Sequence, residues 1–158
     1  MDLTPYQDPQ RIQRALAEER IAVVGMSANE LRASNFVGFY MARHGYRIVP
    51  VNPREREIYG NTSYPSLAEV PEPVGVVDVF RDPAAVPDIA RQAVAAGARF
   101  LWLQFGVISE EGIRIAEEGG LEVIADKCMK IEHARYRGRM HWLGFNSGNI
   151  SARRIPRG

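Results

Sequence analysis

Five short sets of polar and glycine residues follow apolar runs in this 158-residue chain, and they are where its chemistry would lie. They are Gly25-Met26-Ser27, Asn52-Pro53-Arg54, Phe80-Arg81, Gln104-Phe105-Gly106 and Asp126-Lys127-Cys128. The collection is poor in acid–base pairs and rich in groups that hold a ligand. Ser27, Asn52 and Gln104 both donate and accept hydrogen bonds, while Arg54 and Arg81 suit phosphate oxygens. The glycines permit close backbone approach. Between Gly25 and Asn29 the chain is a loop of small residues, Gly25-Met26-Ser27-Ala28-Asn29, with Arg32 and Ser34 just beyond. A strand, such a loop and a helix N-terminus make an anion site, because backbone N–H groups and the positive end of the helix dipole converge there. Ser34 is placed as the N-cap of that helix. Glu30 is an awkward neighbour for an anion and is expected to point away.

Nucleophilic and metal chemistry find less support. Cys128 follows a strand end beside Lys127, so it either faces a ligand thiol or packs as a small buried residue, and packing is the commoner fate of a free cysteine. His133 and His141 have no Ser, Cys or Asp at a telling spacing, and His44 reads as a favourable contact at a helix C-terminus. No metal-ligand spacing occurs. The dinucleotide fingerprint fails twice: Ser27 stands where its second glycine would be, and the second strand ends in Asn52 rather than an acid. A Walker phosphate loop is absent as well.

The elements that must position these sets alternate regularly. Asp8-Pro9 opens a short helix that covers the sheet edge, with Ile12, Ala15 and Leu16 at helical spacing. Residues 21–24 form a strand buried on both faces. Val37, Tyr40, Met41 and His44 define one face of the next helix, which Gly45 ends. A strand over 46–53 stops at its two prolines, a turn follows at Tyr59-Gly60-Asn61, and a short connecting element lies over 64–67. Further strands are predicted over 74–80, 99–105 and 121–125. The intervening helices open at Asp82-Pro83 and Ser109 and close at Gly97 and Gly119-Gly120. Short links between alternating strands and helices predict a mainly parallel sheet with helices on both faces, in one α/β domain. A last short helix is expected near 131–135, and the tail over 136–158 has no clear pattern.

One cysteine and the absence of any long apolar run argue for a protein of the reducing cytoplasm without a membrane span. Net charge is +1, yet the charges are uneven: from Lys127 onward there are 8 Lys or Arg against the single acid Glu132. That basic end reads first as a solvated or subunit-packing segment, and otherwise as a contact for a protein partner or a second copy, with nucleic acid the weaker reading.

Several of these segments carry a family resemblance. Val24-Gly25-Met26-Ser27, the run 45–53, Tyr64-Pro65-Ser66-Leu67, Val77-Asp78-Val79-Phe80-Arg81, Trp102-Leu103-Gln104-Phe105-Gly106 and the run 126–132 together resemble the small stand-alone CoA-binding proteins. They are similar to the CoA-binding domain of the succinyl-CoA synthetase alpha subunit. The resemblance covers about residues 15–135 and implies a doubly wound, Rossmann-like fold. It implies coenzyme A or an acyl-CoA as cofactor, with the diphosphate on the loop Gly25–Asn29. It also puts a basic contact at or beside Arg54, and a pantetheine side lined by Gln104, Phe105 and Gly106. The synthetase loop is richer in glycine than Ala28-Asn29-Glu30. The synthetase's phosphorylated histidine lies in a second domain, so the resemblance implies binding without catalysis. The alternatives are a nucleotide-dependent oxidoreductase and an acyl-transfer protein lacking its partner subunit.

Overall fold

The computed structural model describes residues 1–138. Five strands form one parallel sheet: β1 (Arg20–Val24), β2 (Arg47–Val51), β5 (Val76–Val79), β6 (Phe100–Leu103) and β7 (Glu122–Ala125). Their order across the sheet is β2-β1-β5-β6-β7. Two residues each make β3 (Glu57–Ile58) and β4 (Asn61–Thr62), an antiparallel hairpin. Tyr59 and Gly60 form its turn, both with positive φ (52° and 78°), as a tight two-residue hairpin turn requires. The sequence reading had the turn but not the strands that flank it.

Alternation along each buried strand separates two cores. Ala22, Val24, Val77, Val79, Leu101 and Leu103 face one side, where α3 (Val86–Ala95) and α4 (Glu110–Glu118) supply Ile89, Ala90, Ala93, Ile113 and Ala116. Ile21, Val23, Val76 and Trp102 face the other, against α1 (Pro9–Leu16), α2 (Ala33–Arg43) and α5 (Met129–His133). Helices therefore lie on both faces of a mainly parallel sheet, which is the doubly wound, Rossmann-like arrangement.

Local chemistry explains the element ends. Asp8 caps α1 by accepting from Arg11 N, and Ser109 caps α4 by accepting from Gly112 N. Asp82 likewise accepts from Ala84 N, but it opens a short 3-10 turn before α3 begins. At one sheet edge, side chains from the N-terminal region satisfy outward carbonyls of β7: Gln7 donates to Ala125 O and Arg11 to Val123 O. At the other edge Tyr64 exchanges backbone bonds with Pro50 and Asn52. Pro50 does not stop β2, as its type suggested. Its carbonyl points outward to Tyr64, so its missing N–H also lies on the outer side and costs the ladder with β1 nothing.

Candidate functional site

The strand order reverses between β1 and β5, and ligands of such sheets bind beyond the carboxyl ends of the strands at that point. A groove of about 600 Å³ lies there, between the exits of β1, β2 and β5 and the start of α2. It brings together nine residues singled out from sequence: Gly25, Ser27, Arg32, Ser34, Asn52, Pro53, Arg54, Phe80 and Arg81. Ala33 and Glu55 complete the lining and were missed. Both adjoin residues that were found, and Ala33 escaped because the helix starts earlier than the assigned cap.

Gly25 turns the chain at the end of β1 with φ +90°. A Cβ here would stand 2.5 Å from Phe80 O and 2.8 Å from Arg81 Cδ. The glycine is needed because the exits of β1 and β5 run against each other at a backbone angle that side chains disfavour. This differs from the expected reason, room for a ligand.

The following loop is tied down by its own side chains. Ser27 N donates to Ser34 Oγ (2.9 Å), Asn29 N to Ser27 Oγ (3.0 Å) and Leu31 N to Asn29 Oδ1 (2.9 Å). Asn35 Nδ2 donates to Ser27 O at 2.8 Å and Asn52 Nδ2 to Met26 O at 2.8 Å. One expectation is corrected by this network. Ser34 is not the N-cap of α2: Arg32 holds that position with extended backbone (φ −89°, ψ 142°), and the Ser34 hydroxyl anchors the loop instead. Within the loop the Ser27 and Asn29 amides already have acceptors. The first turn of α2 presents further amides. Arg32 provides no side-chain cap, and the N–H groups of the first helical residues have no intrahelical acceptor. Ala33 and Ser34 carry two of them and line the groove.

The arginines give the groove its sign. Seven others (Arg11, Arg14, Arg47, Arg91, Arg99, Arg114 and Arg135) pair with carboxylates. Arg32, Arg54 and Arg81 make no ion pair among the described residues, and all three are exposed. Arg54 is oriented through its backbone, whose N–H donates to Asn52 Oδ1 at 2.8 Å. Three guanidinium groups without an ion pair among the described residues, and one carboxylate, Glu55, thus stand beside an uncapped helix N-terminus, where the helix dipole is positive.

The remaining predicted residues lie elsewhere. Met26 is buried in the core, and Ala28 and Asn29 sit on the exposed outer side of the loop. Gln104 is buried and its Oε1 accepts from Met129 N (3.1 Å), so it fixes the start of α5 instead of lining the groove. Gly106 N donates to Asp126 Oδ1 at 2.9 Å, and Phe105 is exposed beside it. The turn after β6 is thereby bound to the exit of β7, away from the groove. Glu30 points away from the groove, as anticipated, and lines a different surface against α2. Cys128 is half-buried against the α5 side of the core, outside the groove. His44 stacks on Tyr40 (ring centroids 4.1 Å), whose hydroxyl bonds His133 Nδ1 at 3.0 Å. Burial raises the Tyr40 pKa, which keeps that hydroxyl neutral. His141 and the basic segment over 139–158 lie outside the described residues. Among the described residues no three His, Cys, Asp or Glu converge as a metal site, and no helix is long and apolar enough to cross a membrane.

Residues 19–134 match the family model described as a CoA binding domain. Over 116 residues the chain is 39% identical to YneT, an uncharacterised protein of Bacillus subtilis, covering 73% of this chain and 86% of YneT. A solved structure of a hypothetical protein from Pyrococcus horikoshii superposes with a TM-score of 0.81 at 33% identity, over 85% of this chain and 96% of that one. The ADP-forming acetate–CoA ligase I of Archaeoglobus fulgidus is 26% identical over 128 residues, which are 75% of this chain but only 19% of the ligase. The match spans the strand exits and helix start that build the groove, and with it the chain belongs to the CoA-binding domain family.

Proposed function

We propose that this protein binds coenzyme A or an acyl-CoA in the groove at the exits of β1, β2 and β5, without chemistry of its own. The observation that carries the reading is the convergence of Arg32, Arg54 and Arg81, none in an ion pair among the described residues, on the uncapped first turn of α2, against the one carboxylate of the lining, Glu55. Coenzyme A carries about four negative charges on its diphosphate and 3′-phosphate, and a chain of net charge +1 must meet them locally. The α2 amides suit the diphosphate, and the arginines suit the outlying phosphate oxygens. The family membership supports the same ligand. Binding without catalysis is supported by the lining, in which no imidazole or thiol stands among the described residues and the Ser34 hydroxyl is already engaged. A single cysteine suits a reducing, cytoplasmic setting.

Thermal unfolding with added nucleotides tests the reading, because a ligand that binds only the folded state raises Tm. Coenzyme A is expected to raise it most, dephospho-CoA less, and NAD or NADP not at all. A rise with NAD and none with coenzyme A would replace this reading by the oxidoreductase one. Turnover of an acyl-CoA by the isolated chain would overturn the non-catalytic part.

A further inference from the structure

Beyond ligand binding, we infer that the outer face of α2 is the self-association surface of this protein, seated against a second copy antiparallel across a two-fold axis. The face is an apolar groove of about 530 Å³ between α2, the β3–β4 hairpin and α5. Phe36, Phe39 and Tyr59 are 56%, 41% and 50% exposed, an unusual set of aromatic rings to leave in water side by side. Phe36, Phe39, Tyr40 and Arg43 follow helical spacing, so they form one continuous stripe on α2. Phe39 packs on Tyr59 with centroids 5.1 Å apart. Two cations lie over the rings: Lys130 Nζ is 4.9 Å from Phe36 and 5.2 Å from Tyr40, and Arg43 is 5.5 Å from Phe39.

The charges at its ends select the occupant. Glu30 lies at the N-terminal end of the groove and Arg43 at the C-terminal end, with the phenylalanines between them. An isologous contact juxtaposes a patch with itself reversed. Turned about an axis near Phe36, a second α2 places Glu30 of each copy against Arg43 of the other, twice, over a shared centre of aromatic rings and the Lys130 side chains that lie on them. An acid at one end and a base at the other thus make the ends of this face complementary to themselves. A lipid surface or an acidic peptide would meet Arg43 and Lys130 but leave Glu30 facing like charge.

Sedimentation velocity of the full chain tests this directly. The wild type is expected to dimerise at about 100 μM or below, within the range of ordinary specific contacts. Glu30→Arg and Arg43→Glu should each raise the dimer dissociation constant by about tenfold or more, by setting like charges together. Carried in one chain, the two reversals should restore the wild-type value within about threefold. Phe36→Asp should give monomer, with its fold checked by circular dichroism; Phe36 is exposed, and Lys130 stands beside it to meet the new charge. A monomeric wild type at that concentration overturns the inference. So does a dimer indifferent to the single charge reversals, or one that the paired reversal fails to restore.

Discussion

Both carboxyl oxygens of Asp78 are buried in the middle of β5 without a hydrogen-bond partner among the described residues. Its neighbours in register are the uncharged Val23 and Trp102, and desolvation pushes its pKa well above the usual carboxylate value of 3.8. The folded chain then holds a proton that the unfolded chain releases above about pH 4. Where the native state binds more protons, stability falls as pH rises. Below its unfolded pKa Asp78 therefore adds no pH-dependent cost to that of burying an unpartnered carboxyl, and the pH-dependent cost grows progressively toward neutrality. Asp78→Asn removes the ionisation, so the variant should gain on the wild type in urea midpoint as pH rises from about 4 to 7 and match it most closely at the acid end. Parallel profiles would show that Asp78 is not a protonated buried acid. A different test applies to the exposed arginines of the groove. If Arg54 or Arg81 meets a phosphate, truncation to Ala should weaken coenzyme A binding by about 1–3 kcal/mol, measured calorimetrically, with little change in Tm of the free protein. Unchanged affinity for both would remove them from the site. The sequence made Arg54 and Arg81 conspicuous by placing them at strand ends. It could not show that Ser34 turns its hydroxyl back to Ser27 N, because cap and loop anchor differ only in which amide the same oxygen reaches. Asp78 within Val76-Val77-Asp78-Val79 read as strand, and its lack of partners is a property of packing alone.

At the scale of elements, α3 and α4 owe their close approach to glycine. A Cβ at Gly112 would stand 2.4 Å from Val86 Cγ1, and one at Gly119 would stand 2.3 Å from Val94 Cγ2. The two positions lie seven residues apart, Gly112 in the first turn of α4 and Gly119 at its C-cap, so they admit α3 at both ends of α4. Two effects compete in Gly112→Ala. Helix propensity favours alanine by about 1 kcal/mol. Overpacking against a buried valine costs about 1–3 kcal/mol, and Val86 is also backed by its own main chain 3.2 Å from the new atom. The clash should prevail, lowering the urea midpoint, whereas an exposed helical glycine would show the opposite sign. Element types were readable from the chain for consistent reasons. Asp8-Pro9 and Ser109 carry their capping chemistry in their side chains, and the Val-rich strands are too short and too apolar to be surface helices. The β3–β4 hairpin was not readable, since two-residue strands lack a period and only Tyr59-Gly60 announces them. The part played by the turn after β6 was unreadable for a related reason. A Gln-Phe-Gly at a strand exit looks the same whether the amide faces a groove or a helix start, and here Gln104 holds Met129.

Across the whole molecule, the sheet order places the reversal between β1 and β5, and the groove sits where the helices on either side diverge. Sequence can supply alternation and thus a parallel sheet, but not the order of its strands; that order follows from which faces bury against which helices. It decides the electrostatics as well. The chain as a whole is nearly neutral, so long-range attraction for an anion is weak, and attraction must come from exposed groups at the groove itself. Exposed charges are strongly screened: the Debye length falls from about 30 Å at 0.01 M salt to about 3 Å at 1 M. The amides of α2 are fixed dipoles acting at contact, and they lose less. If the arginines supply the larger share, affinity for coenzyme A should drop by about tenfold or more across that range. Tm of the free protein should change little, because pairs such as Arg91–Glu111 and Arg114–Glu118 are exposed and individually worth at most about 1 kcal/mol, while Arg135–Glu132, whose carboxylate is buried, is screened less. Titrations at stepped salt concentrations, alongside melting curves without ligand, separate the two responses. An affinity flat in salt would assign the anion to the helix terminus alone, and would make Arg32, Arg54 and Arg81 bystanders at the rim.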